Sequence, residues 1–203
     1  TGYGDNEGEA KGVKEILGFH KTLSPDNPFT SYFPGLTRLR RNALVARRHY
    51  IASAACAPSR TSFLTGQYPS LHGVTQVDGL FKAADEIKFL DPQGVPTVGD
   101  WFQAAGYDPY YFGKWHVSHV EPPYDLTPWG FLGYETSGPE PHGSDPDNLG
   151  TFRDPGFAEI VEDFFSNRAK DDSKPWFAVA SMVNPHDIAA NHFPFYLPGS
   201  GGV

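Results

Sequence analysis

Apolar and polar residues follow two patterns along this chain, and each pattern predicts a different kind of element. In the span 97–106, four apolar residues recur at i, i+3, i+4 and i+7, which is typical of one face of a helix. Thr97 can cap the start of this helix, and Gly106 stands at its end. The four apolar residues are Val98, Trp101, Phe102 and Ala105.

The span 176–183 is instead a nearly continuous apolar run, which favours a buried parallel strand over an amphipathic helix. A second buried strand is predicted at 107–112, and the span 44–51 also has strand character. Further helices are predicted at 12–23, at 34–42 and from the Asp154-Pro155 pair onward. The alternation of these helices and strands is consistent with an α/β fold.

Composition limits the class of protein. The chain has 203 residues, enough for one domain with a sizeable core, and we find no internal repeat or domain boundary. The net charge of −8 argues against a nucleic-acid surface. No apolar run approaches membrane-spanning length, so we expect neither a nucleic-acid nor a membrane partner. The single cysteine rules out an internal disulfide.

That single cysteine begins the most informative stretch of the chain. Pro58 suits the first helical position, a helix is predicted over Ser59 to Leu64, and Gly66 can end it in a left-handed cap. Cys56 then lies at a junction between loop and helix, where backbone N–H groups and the helix dipole favour an anion. Arg60, one turn further on, can reach the same anion.

Two other polar groups follow predicted strands, at the end where ligands bind in open α/β sheets. Gly113-Lys114-Trp115-His116 comes after the strand 107–112. In extended chain Lys114 and His116 point the same way, so both can face one pocket. His186 follows the strand 176–183 in the same manner. We interpret His72, close to the cysteine stretch, as a structural loop histidine.

The cysteine stretch resembles the sulfatase signature, Cys-x-Pro-Ser-Arg followed three residues later by Leu-Thr-Gly. The Gly-Lys-Trp-His sequence and the Pro-His pair resemble two further motifs of that family. The resemblance implies an alkaline-phosphatase-like α/β sandwich, with a mostly parallel central sheet and helices on both faces. It also implies that residues 1–203 are the N-terminal portion of a single catalytic domain, with the fold incomplete in this chain. The signature positions are filled by Cys56, Pro58, Ser59, Arg60, Leu64, Thr65 and Gly66.

The same resemblance implies a role for each site residue. A formylglycine-generating enzyme would oxidise Cys56 to formylglycine, an aldehyde whose hydrate is the nucleophile and a metal ligand. Arg60 and a divalent cation, expected to be Ca²⁺, would hold the attacking hydroxyl deprotonated. His116 would act as general base on the second hydroxyl. Lys114 and His186 would donate to the sulfate oxygens of a small-molecule sulfate ester.

The chain departs from the family pattern in its carboxylates. Thr1 to Asp5 resembles the residues that follow the paired aspartates of the first metal motif, or is a generic glycine-rich loop. That Asp pair, and a downstream Asp–Asn/Gln pair with a second lysine, are absent, so the remaining metal ligands would lie outside this chain. We therefore expect residues 1–203 alone to lack activity and a tight Ca²⁺ site, and to hold sulfate or phosphate weakly.

Two other functions stay open at the level of sequence. The cysteine motif also serves phosphonate monoester and phosphodiester hydrolases of the same superfamily. A non-catalytic anion-binding domain, with Cys56 left as a thiol, is the alternative from outside enzymology. The native oxidation state of Cys56 separates this last possibility from the first two.

Overall fold

The fold is given by a computed structural model that describes residues 7–46, 48–77, 86–139, 149–171 and 173–186. The chain divides into two compact units, residues 1–50 and 51–203. Residues Thr1 to Asp5, for which two interpretations were given above, lie outside the described residues. The helices are α1 (Glu7–Ile16), α2 (Pro34–Arg41), α3 (Cys56–Thr65), α4 (Pro69–His72), α5 (Val98–Ala104) and α6 (Gly150–Ser166); the strands are β1 (Asp108–Gly113) and β2 (Trp176–Ser181).

In the first unit, a buried carboxylate ties a turn to helix α1. Glu15 accepts hydrogen bonds from the backbone N–H of Ser24 at 3.0 Å, from its hydroxyl at 2.8 Å, and from the side-chain amide of Asn27 at 3.0 Å. The Asn27 amide also donates to the Gly12 carbonyl at 2.8 Å. Because these groups satisfy one another, Glu15 can be only 3% exposed.

Two predictions for this unit need correction. The helix predicted at 12–23 ends at Ile16 because Gly18 adopts φ 84°, with the Gly18 and Phe19 N–H groups bonded to the carbonyls of Glu15 and Lys14. No strand forms among the described residues of 44–51, where Leu44 is fully exposed and no neighbouring strand offers hydrogen bonds. The helix predicted at 34–42 is confirmed as α2.

The second unit is built on two parallel strands. β1 and β2 pair in register from Asp108 opposite Trp176 to Gly113 opposite Ser181, and α6 forms the connection between them. β1 is mostly buried, as its apolar run predicts. β2 is only half-buried, contrary to prediction, because within the described residues β1 is its sole partner. Its carboxyl end still lies beside that of β1.

Aromatic side chains join the helices to these strands. Phe102 of α5 stacks on Phe177 with ring centroids 4.1 Å apart. Phe164 of α6 packs against Tyr110 at 4.9 Å and Trp176 at 5.1 Å. The core of the unit is a cluster whose larger members are Leu64, Tyr111, Trp115, Leu126, Phe131 and Tyr134. It includes residues of α3 and of the segment after β1, so the candidate site residues are connected directly to the core.

The predicted start of α5 is confirmed, and the predicted start of α6 is wrong. Thr97 caps α5 in a full capping box with Asp100, as expected, although Trp101 is 63% exposed and does not join the buried face. Helix α6 begins at Gly150, so Asp154 is not its cap and Pro155 lies inside it. Pro155 removes one main-chain hydrogen bond there, and the helix is held by packing of Phe157 and Phe164 instead.

The amino end of β1 is fixed by charge. The Asp108 carboxylate pairs with Lys174 and with Arg168 at 2.6 Å, and Arg168 also donates to the Tyr110 hydroxyl at 2.9 Å. Hydrogen bonds from Lys174, then from Arg168, lower the pKa of Asp108 below its ordinary 3.8. This network joins the segment before β2 to β1 at the end opposite the candidate site.

His72 makes structural contacts, as predicted, although it is the last residue of the short helix α4 and does not lie in a loop. Its Nδ1 accepts the Val74 N–H at 3.1 Å, so the neutral ring carries its proton on Nε2, which lies 3.0 Å from the Ser62 hydroxyl. Burial lowers the pKa of His72 below 6.5. Because Nε2–H donates to Ser62, this pair is oriented to hold α3 and α4 together and not to activate the serine.

We predict that protonation of His72 destabilises the protein in mild acid. The unfolded chain binds the proton first, near pH 6.5, so the free energy of unfolding falls as pH drops below 6.5 and levels off below the folded pKa. Urea unfolding followed by tryptophan fluorescence at pH 7.5 and pH 5.0 measures this. His72→Gln should be less stable at pH 7.5 by about 1–3 kcal/mol but less sensitive to pH.

His119→Gln, at an exposed position in the same unit, is the matched control and should keep the wild-type pH dependence. If His72→Gln kept the wild-type pH dependence, His72 would not be the group that destabilises the protein in mild acid.

Candidate active site

The cysteine stretch forms helix α3, which begins at Cys56, two residues before the first helical position predicted at Pro58. Cys56 is the first helical residue, and Pro58 occupies the third position, where its missing N–H lies within the unbonded first turn and costs nothing. Gly66 ends the helix at φ 68°, which confirms the predicted left-handed cap. Cys56 is partly exposed at the amino end of the helix.

Arg60 joins this helix to the carboxyl ends of both strands. Its Nε donates to the Trp115 carbonyl at 2.6 Å, and its Nη2 donates to the Lys114 carbonyl. Nη2 also lies 2.7 Å from the Tyr111 hydroxyl and 2.8 Å from Oγ of Ser181. The Tyr111 hydroxyl in turn donates to the Lys114 carbonyl at 2.8 Å. We call this set of hydrogen bonds the Arg60 clamp.

The Lys114–His116 segment has no regular secondary structure, and we call it the Lys114 turn because positive φ values stand at Gly113 and His116. This corrects the extended geometry used to predict its orientation. β1 ends at Gly113, whose φ is 90°, and His116 adopts φ 54°. A side chain on residue 113 would collide with the Ser181 carbonyl, so glycine is required by both space and conformation. Positive φ at a non-glycine costs about 1–3 kcal/mol and is concentrated at functional sites.

Both predicted side chains of this turn are nevertheless shielded from solvent. Lys114 is 4% exposed and His116 is 6% exposed, with Nδ1 of His116 fully covered. The Lys114 N–H donates to the Ser181 carbonyl at 2.8 Å, which continues the strand pairing by one residue. The turn therefore starts from a rigid base, and Trp115, fully buried in the core, fixes its middle.

The third predicted residue, His186, lies in the loop that leaves β2. Its backbone N–H donates to the Val183 carbonyl at 3.1 Å, which closes a tight turn. Asp154 of α6 accepts the N–H groups of Val183 at 2.6 Å and Asn184 at 3.0 Å. The next residue, Asp187, lies outside the described residues.

The structure thus joins two of the three motifs directly, and the third follows a strand whose end Arg60 contacts. Arg60 bonds the segment containing Lys114, while His186 follows Ser181, another partner of Arg60, by five residues. Beside the clamp, α3 and β2 line a cavity of about 390 Å³. Cys56 is not one of its lining residues. Its lining residues are Ser59, Arg60, Phe63, Leu64, Tyr111, Val179, Ala180 and Ser181.

Sequence reasoning did not find Tyr111, Ser181 or Asp154 as partners of the site. Ser181 carried a usable signal, since a hydroxyl closes an otherwise apolar strand at its carboxyl end. Tyr111 reads as an ordinary apolar strand residue, and Asp154 beside a proline reads as a helix cap.

The donor set around α3 does not fit a divalent cation. Ca²⁺ takes about 6–8 oxygen ligands, usually including several carboxylates. Two side chains of the candidate site, Arg60 and Lys114, are cations. Among the residues that the structure describes, no group of three or more His, Cys, Asp or Glu side chains is arranged to hold a metal ion.

Comparison with known proteins identifies the family. A sequence model of the Sulfatase family matches residues 15–199, which is most of the chain and includes α3, the Lys114 turn and the His186 loop. The chain therefore belongs to the sulfatase family. Its fold class is the alkaline-phosphatase-like α/β fold, of which the described residues form two parallel strands and their helices.

Several curated proteins are similar in sequence. The Delta 4,5-hexuronate-2-O-sulfatase of Bacteroides thetaiotaomicron is 27% identical over 146 residues, covering 68% of this chain and 26% of that protein. The Ulvan-active sulfatase of Formosa agariphila is 28% identical over 168 residues, covering 75% and 30%. The Steryl-sulfatase of Mus musculus is 34% identical over 86 residues, covering 41% and 14%.

This chain thus spans less than a third of the length of these three relatives. Among solved structures, Ps i-CgsB in complex with k-i-k-neocarrahexaose is similar at a TM-score of 0.45 and 18% identity, covering 74% of this chain and 40% of that one.

Within the described residues, no helix has the length and apolar character to span a bilayer.

We predict that Arg60→Lys destabilises the protein by about 2–4 kcal/mol. Hydrogen bonds to a charged group contribute about 1.5–3 kcal/mol, and an ammonium cannot reach four partners spread over two strand ends. Arg38→Lys in α2 is the matched control, because that guanidinium is exposed, and should change stability by less than about 0.5 kcal/mol.

Urea unfolding of both variants makes the comparison. Equal stability of Arg60→Lys and wild type would show that the clamp contributes nothing to the fold.

Proposed function

We propose that the protein hydrolyses sulfate esters with a nucleophile made from Cys56. The Arg60 clamp is the observation that carries this proposal. It fixes the helix that begins with Cys56 against the segment bearing Lys114 and against the strand end that leads to His186. Family membership supports the class of reaction, since the Sulfatase family model covers these segments and relatives named as sulfatases match 68% and 75% of the chain.

The proposed nucleophile is the hydrate of formylglycine at position 56. Conversion of the Cys56 side chain to an aldehyde is a two-electron oxidation with loss of sulfur, performed by a maturation enzyme with an external oxidant. The hydrate offers two hydroxyl groups on one carbon. One attacks the sulfur of the ester and expels the alcohol, leaving a sulfated residue 56.

The second hydroxyl explains why an aldehyde is needed. His116 takes its proton, the carbon regains its carbonyl, and the C–O bond to sulfate breaks with sulfate as the leaving group. Water then restores the hydrate. A serine at position 56 would stop at the sulfated stage, because it has no second hydroxyl to ionise. The burial of His116, which is 6% exposed, supports this role.

Sulfate binding falls to the cationic and histidine side chains. Lys114 is buried, so its ammonium gains more from an anionic ligand than it would in water. His186 would donate to a second sulfate oxygen. Arg60 orients the Lys114 backbone and adds a positive charge beside the same anion. The proposed divalent cation, with Ca²⁺ expected, would need carboxylates from outside the described residues, so no step above is assigned to it.

The first prediction concerns the nucleophile. In full-length protein from a host that matures sulfatases, mass spectrometry of the tryptic peptide His49 to Arg60 should find formylglycine in place of cysteine. The same protein from a host without the maturation enzyme is the control and should show only thiol. Thiol alone from the competent host would contradict the proposal and favour the anion-binding domain.

The second prediction concerns the base. His116→Ala should lower kcat by about 10²–10⁴-fold while KM changes little, with a sulfated enzyme trapped at residue 56. His119→Ala, at an exposed position three residues on, should keep the wild-type kcat. An unchanged kcat in His116→Ala would remove His116 from the mechanism.

Both assays should use an aryl sulfate and an aryl phosphodiester in parallel. Faster turnover of the phosphodiester would assign the protein to the phosphonate monoester and phosphodiester hydrolases instead.

A further inference from the structure

We propose that Asp154 is a positioning residue that holds the His186 loop in its ligand-binding geometry. This inference rests on the proposed function and adds a residue to it. Asp154 lies on α6, outside all three motifs, and its carboxylate spans the start of the loop. One oxygen accepts the Val183 N–H at 2.6 Å and the other accepts the Asn184 N–H at 3.0 Å.

The strength of this contact follows from its chemistry. Backbone N–H groups at the end of a strand lose their ladder partners, and a carboxylate accepting two of them makes charge-assisted hydrogen bonds. Val183 is 3% exposed, so its N–H has little access to water as a substitute. The two bonds fix the backbone immediately before His186, whose own N–H closes back on the Val183 carbonyl.

The packing around Gly150 shows that the approach of α6 to this loop is close. A side-chain carbon on residue 150 would come within 2.6 Å of Oδ2 of Asp154 and within 2.7 Å of the Asn184 amide nitrogen. Real Cβ atoms do not approach other atoms so closely. Gly150 therefore allows the first turn of α6 to place Asp154 against the loop.

The neighbouring residue does the same for the other strand. Arg153 donates to the Ser137 carbonyl at 3.0 Å, and the Ser137 hydroxyl accepts the Gly113 N–H at 2.9 Å. Helix α6 thus reaches the carboxyl end of β1 through Arg153 and that of β2 through Asp154. The connection between the two strands also sets the two loops that follow them.

The test compares Asp154→Asn with Asp163→Asn in the full-length protein. Asparagine keeps one acceptor and places an N–H₂ group against the other backbone donor, so one hydrogen bond is lost and the other loses its charge, with little change in volume. Asp163 lies on the same helix with an exposed side chain, so its substitution controls for the loss of charge. Amide exchange of Val183 and Asn184, and binding of inorganic sulfate, are measured for each.

We expect Asp154→Asn to lower exchange protection at both amides and to bind sulfate about tenfold more weakly, with kcat/KM for an aryl sulfate lowered by a similar factor. Because Asp154 acts through His186, adding Asp154→Asn to His186→Ala should weaken sulfate binding no further. Asp163→Asn should match wild type in every measurement.

Two results would overturn the inference. One is lost protection with unchanged sulfate affinity; the other is an equal loss of affinity in the presence and absence of His186. Failure of the proposed function is distinguishable, because a wild-type protein that binds sulfate without hydrolysing esters still reports the exchange and binding results.

Discussion

A single guanidinium group connects the parts of this site. Arg60 donates from a short helix into two consecutive carbonyls of the Lys114 turn and contacts hydroxyls on both strands. Carbonyl oxygens at the ends of strands have no further ladder partners, so they would otherwise need water. A planar donor set is suited to satisfying several of them at once, which an ammonium on a flexible stem is not.

The clamp also sets the electrostatics of the site. Arg60 places its guanidinium against the backbone of the segment that carries the buried Lys114 side chain, in a chain whose net charge is −8. The net charge of a chain does not fix the potential at one site, because charges that are partly removed from water act more strongly than exposed ones.

The sequence predicted the elements whose signals are local. The capping box of α5, the glycine end of α3 and both strands of the second unit were found because each depends on neighbours in sequence. The strand predicted at 44–51 failed because a strand needs a partner, and the described residues provide none. The start of α6 was misplaced because Asp154 and Pro155 form a local capping pattern, whereas the aspartate bonds a loop about 30 residues away in sequence.

The site was predictable in its motifs and not in its connections. Cys56, Lys114, His116 and His186 stand in recognisable patterns, but the bonds that assemble them cross 29 to 121 residues. The orientation of Lys114 and His116 could not be derived from strand alternation, because the chain leaves the extended conformation at Gly113.

These long separations bear on the order of events during synthesis. Ser181 follows Arg60 by 121 residues, so at about 5–20 residues per second it leaves the ribosome on the order of ten seconds after Arg60. Until then the segment 56–60 can sample extended conformations, because the clamp lacks one of its two strand ends. A modifying enzyme that reads this segment as extended chain therefore has its opportunity before the clamp closes, and loses it once the sheet is paired.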